Sequence, residues 1–96
     1  MKMKRYIPVI EICESYKIEH RFIDELNSAG LVEVIIVEKE NCLHVDMIRS
    51  LEKMIRLHQE LNVNTEGIDV IFNLLDKVDQ LQDELLNAKN RLRLYE

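Results

Sequence analysis

Few side chains in this sequence could do chemistry, and their spacing does not suit it. Cys42 and His44 stand two apart, which on a strand would turn both to one face. With Cys13 they are the nearest approach to a metal-ligating set. Structural zinc takes four such ligands, commonly in CxxC or HxxxH pairs, and neither spacing occurs here. No metal and no cofactor is expected. Ser15 and Ser28 have no accompanying His and Asp, and Gly30 and Gly67 make no phosphate-cradling loop. The expectation is therefore of no catalytic residue and no enzyme. His58 falls on the apolar stripe of a helix, where a hydrogen-bonded core or boundary histidine is the simpler reading than a base.

What the chain does carry is carboxylate. Its 96 residues hold 18 Asp and Glu against 13 Lys and Arg, a formal charge of -5. That balance argues against nucleic acid or an anionic membrane held by bulk electrostatics, and only a local basic patch would restore either. No apolar run approaches the length of a bilayer span. The opening MKMKRY is not followed by the apolar stretch of a secretory signal before Glu11. The two cysteines then read as packing residues of a reduced, cytoplasmic protein.

The elements that must position these groups follow from pattern. Pro8 suits the start of a first helix reaching about Tyr16, with Val9, Ile12 and Cys13 on one face. Residues 15–18 read as a tight turn. A second helix over about Glu19 to Ala29 buries Phe22, Ile23 and Leu26 and stops at Gly30. Two short helices joined so closely make a helix-turn-helix pattern. The β-branched run Val34 to Val37 favours a strand, Glu38 to Asn41 a turn, and Cys42 to Val45 a returning strand, together a hairpin wing. Asp46 is expected to cap a third helix to about Leu61, with Met47, Leu51, Met54, His58 and Leu61 as its stripe and Ile48 and Ile55 widening it. Asn64 or Thr65 caps a long last helix.

That last helix holds a heptad. Ile71, Leu74, Val78, Leu81, Leu85, Ala88, Leu92 and Tyr95 recur at alternating steps of three and four, with no Gly or Pro between them. Such a seam is the pattern of helix-on-helix association, so these eight residues are the expected interface of a homodimer. Acids dominate residues 66–84 and bases residues 85–96, which favours antiparallel pairing and equally suits the helix's own dipole. Ile68, Phe72 and Leu75 lie off the seam and should pack on the third helix. The expected domains are 1–62, a winged helix-turn-helix, and 63–96, a coiled-coil dimerisation helix; the fold class is mainly α with a small β-hairpin.

This order of elements resembles the MerR superfamily over nearly the whole chain. A helix-turn-helix that reads DNA brings its second helix and wing against phosphate and needs Arg and Lys there. Residues 19–45 instead hold Glu19, Asp24, Glu25, Glu33, Glu38 and Glu40 against Arg21 and Lys39. Carboxylates within a Debye length of about 8–10 Å would repel the duplex. Direct DNA binding is not expected through this face, and Glu19, Asp24 and Glu25 become candidates for binding a protein. Arg21 stands four residues before Glu25, as an ion pair on one helix face requires.

A narrower pattern agrees. Arg56, Leu57, Glu60 and Leu61 spell R-L-x-x-E-L; Gly67-Ile68 opens the next helix, which then carries Leu74, Asp76 and Leu81. Glu11-Ile12-Cys13, the G-L-V-E run at Gly30 to Glu33 and the ending R-L-R-L-Y-E complete a set that resembles the CbpM chaperone-modulator family, with Tyr95 where the family ends in Phe. The resemblance implies a cytoplasmic bacterial protein that binds the J-domain of a DnaJ/CbpA-type co-chaperone and inhibits it. J-domains meet their Hsp70 through a positively charged helix, which an acidic modulator would complement. The competing expectations are a MerR-like transcription regulator and a purely structural coiled-coil adaptor.

Overall fold

The computed structural model describes residues 5–95. Met1 to Lys4, on which the reading of the N-terminus leaned, and Glu96, counted in the charge gradient, lie outside the described residues. The chain runs β1 (Tyr6–Pro8), α1 (Val9–Tyr16), α2 (His20–Ser28), β2 (Ile35–Val37), β3 (Glu40–His44), a single 3-10 turn (Val45–Met47), α3 (Ile48–Leu61) and α4 (Thr65–Arg93). The mainly helical class with a small β-hairpin and a long last helix is what the sequence led one to expect.

Three features of the strands and turns differ. The hairpin has a third strand: β1 lies antiparallel on β3 with Tyr6 opposite His44 and Pro8 opposite Cys42, while β2 takes the other side of β3 with Ile35 opposite Cys42. Pro8 therefore ends an edge strand, where its missing N–H breaks no ladder, and hands directly into α1 as its cap residue. The wing turn is only two residues long, because Val37 pairs with Glu40. Glu38 and Lys39 both take positive φ, 50° and 69°, the backbone that matches a tight hairpin to strand twist. Finally, Asp46 does not cap α3. Its backbone N–H donates to His44 Nδ1 at 3.1 Å, and the 3-10 turn leads into the helix.

The core is one apolar cluster: Val9 and Ile12 from α1, Phe22, Ile23 and Leu26 from α2, Val32, Leu43 of β3, Leu51, Met54 and Ile55 of α3, and Ile68 of α4. No polar side chain is buried among the described residues. The α3 stripe is shifted from expectation: Leu61 is 68% exposed, and Leu57 packs against the core instead. Asn62 in the left-handed conformation ends α3. Asn64 then caps α4, its Oδ1 accepting the Gly67 N–H at 2.8 Å. A Cβ on Gly67 would stand 2.7 Å from Val63 Cγ1 and 3.2 Å from that same cap oxygen. The Gly-Ile pair at the head of α4 thus has a packing reason: one residue admits the turn, the next is fully buried.

Candidate protein-binding surface

Helix α2 is anchored by three side chains and shows solvent the rest. Phe22, Ile23 and Leu26 hold it to the core, which turns Glu19, Asp24 and Glu25 outward. The three are not equivalent. Asp24 Oδ2 lies 3.5 Å from His20 Nδ1, and Glu25 Oε2 lies 3.8 Å from Arg21 Nε, both one helical turn back along α2. Glu25 also accepts a hydrogen bond from Thr65 Oγ1 at 3.1 Å, which ties α2 to the head of α4. Glu19 precedes α2 in extended backbone and makes no side-chain hydrogen bond or ion pair among the described residues. Exposed pairs of this kind contribute only about 0–1 kcal/mol, so an incoming cation can displace Arg21 or His20 at small cost. The Arg21–Glu25 pair was legible from spacing; the Thr65 contact, spanning two helices, was not.

The wing continues the negative charge. Val34 N–H donates to Asn27 Oδ1 at 3.1 Å, which fixes the start of β2 to the end of α2. Glu33, Glu38 and Glu40 are exposed around it, with Ile36 72% exposed on the same strand. Lys39 at the tip is the only cation between Glu33 and Glu40. The elements that would approach a phosphate backbone carry the same sign as phosphate.

The remaining candidates are structural. Cys42 is buried and Cys13 half-buried, both free, and burial pushes each thiol above its usual range, with Asp24 adding to the effect at Cys13 and Glu40 at Cys42. Raised thiols in packed sites are poor ligands and poor nucleophiles. No group of three or more potential metal ligands comes together among the described residues. His58 is a boundary residue, stacked on Phe22 at 4.4 Å between ring centres with Nδ1 3.3 Å from the Val63 carbonyl oxygen.

Along α4, Ile71 is half-buried while Leu74, Val78, Leu81, Leu85, Ala88 and Leu92 are exposed, Leu81 by 63% and Leu92 by 62%; Tyr95, the expected last seam position, lies exposed in the turn beyond the helix's end at Arg93. An isolated helix of this length does not ordinarily leave such a row of leucines in water. None of the described helices is long and apolar enough to cross a membrane.

Comparison with known proteins gives a consistent picture. The family model for MerR HTH family regulatory proteins matches residues 7–90. The chain is 32% identical to the chaperone modulatory protein CbpM of Pseudomonas putida strain W619 over 82 residues, 84% of this chain and 81% of that one. It is 30% identical to the CbpM of Pseudomonas putida strain KT2440 and 29% to that of Pseudomonas entomophila strain L48, with the same coverage of each chain. No solved structure matches significantly.

Proposed function

The chain belongs to the CbpM chaperone-modulator family, within the MerR-type helix-turn-helix proteins, and on that premise we propose that it binds the J-domain of a DnaJ/CbpA-type co-chaperone and inhibits it by covering the J-domain's cationic helix. The observation that carries this reading is the sign of the helix-turn-helix face: Glu19 just before α2 and Asp24 and Glu25 on it are exposed, and Glu33, Glu38 and Glu40 surround the wing. Opposite potentials set encounter rate and partner choice, and like-charge meetings are suppressed. The same face thus favours a basic protein helix and disfavours a duplex. Binding and occlusion need no bond-making, and the names of the family and of these relatives describe regulators and modulators, not enzymes.

The protein acts in the cytoplasm as a homodimer joined along the α4 seam that begins at Ile71. Pairing removes from water a row of side chains each worth about 1.5–3 kcal/mol when fully buried, which for so small a chain is a substantial part of its stability.

Reversing Asp24 and Glu25 to Lys tests the contact. Both are exposed and neither supports the core, so circular dichroism should not change. Calorimetric titration with a J-domain should show affinity falling at least tenfold; unchanged affinity would remove α2 from the contact.

A further inference from the structure

The heptad does not account for all the apolar surface of α4. Leu86 is 57% exposed and lies off the seam, and a groove stands open between α3 and α4, lined by Leu57, Leu61, Ile71, Phe72 and Leu75. With Ile71 as the first seam position, Leu75, Gln82 and Lys89 flank the seam on one side, and Phe72, Asp79 and Leu86 lie one step further round that side. Helix α3 packs on this flank, and its Lys53, Arg56 and Glu60 line the same groove. Whatever runs along the seam must therefore satisfy both the groove and its cations.

We propose that a second copy pairs antiparallel along α4 with a displacement of one heptad, so that its Leu86 fills the α3–α4 groove. This rests on the reading that α4 dimerises. The displaced register sets Ile71 against the second copy's Ala88, Leu74 against its Leu85 and Val78 against its Leu81, and leaves Leu92 and Tyr95 beyond the last paired layer. The small Ala88 then meets Ile71, the seam position already crowded by α3. Lys77 faces the second copy's Glu84 twice over. On the groove side, its Leu86 comes level with Phe72 and Leu75, its Lys89 with Glu60, and its Asp79 and Asp83 with the Lys53 end of α3.

The alternatives bring like charges together. Pairing all eight seam positions symmetrically sets Lys77 against Arg91 and Glu84 against its own copy, and delivers Arg93 to a groove guarded by Lys53 and Arg56. Parallel pairing brings the second copy's Lys77 to that same groove. Displacement in the other direction matches Glu84 with Arg91 but leaves Ile71, Leu74 and the groove uncovered.

A spin label at Leu94→Cys, with Cys13 and Cys42 replaced by Ala, reads the register directly. At 1.5 Å per residue the displaced antiparallel dimer separates the two labels by about 45 Å, the symmetric one by about 35 Å, and a parallel one by less than about 25 Å. A dimer giving either shorter distance overturns the register while leaving α4 pairing intact. A monomer in sedimentation equilibrium overturns both. Leu86→Asp in the otherwise native chain provides a second reading that does not depend on the cysteine-free background. It should raise the dimer dissociation constant at least tenfold, and an unchanged constant contradicts the groove assignment.

Discussion

Tyr16 ties the helix-turn-helix to α3 through one bond: its hydroxyl donates to Glu52 Oε2 at 2.6 Å. That hydrogen bond, with burial and the carboxylate charge adding to it, raises the phenol above its ordinary value near 10. Because the folded value is the higher, the stabilisation is complete below the unfolded value and is lost as pH climbs through the folded one. Tyr16→Phe should lower stability by about 0.5–1.5 kcal/mol at neutral pH. In urea unfolding the gap between native and variant should close at strongly alkaline pH; a constant gap would show that the bond contributes nothing. At this scale the sequence was legible where contacts are local. Arg21 and Glu25 meet as their i,i+4 spacing requires. Tyr16 and Glu52, 36 positions apart, gave no signal, and Asp46 looked like a cap because nothing in its neighbours revealed that His44 would accept its N–H.

Among the elements, the turn between α3 and α4 sets where the long helix points. Asn64→Ala removes the cap and should cost about 0.5–2 kcal/mol in thermal unfolding. Gly67→Ala gains helix propensity of about 1 kcal/mol but pushes a methyl into the stiff, half-buried Val63, an overpacking that costs about 1–3 kcal/mol. The net outcome should be a loss, measured as a lower midpoint; a rise would mean that Val63 yields freely. The helices were legible because their buried positions recur with a helical period and their ends carry Gly30 and Asn64. Strand β1 was not: three residues are too few to show alternation, and Pro8 spoke equally for the start of a helix. The wing turn hid for a related reason. Glu38 and Lys39 adopt a conformation that usually announces itself with Asn or Gly. At the end of α3 the stripe passes from Leu57 directly to Val63, both packed on the core, while Leu61 stays exposed.

At the scale of the molecule, a regulator's frame has been given a surface of the wrong sign for its usual ligand. The body measures 59 × 36 × 20 Å; α4 with its 29 residues is the longest element, and acidic α2 meets its head through Glu25 and Thr65. The chain belongs with the chaperone modulators, and the carboxylates on α2 and the wing are the groups proposed to grip a basic partner. In the proposed complex α2 and the wing meet a basic protein helix and not phosphate. Its most direct test is the amide spectrum of the 15N-labelled protein, titrated in parallel with a J-domain and with duplex DNA at physiological salt. Shifts with the J-domain should concentrate on Glu19 to Ser28 and on the wing, and the duplex should cause none. Shifts of that same helix on adding DNA, with the J-domain leaving it untouched, would contradict it.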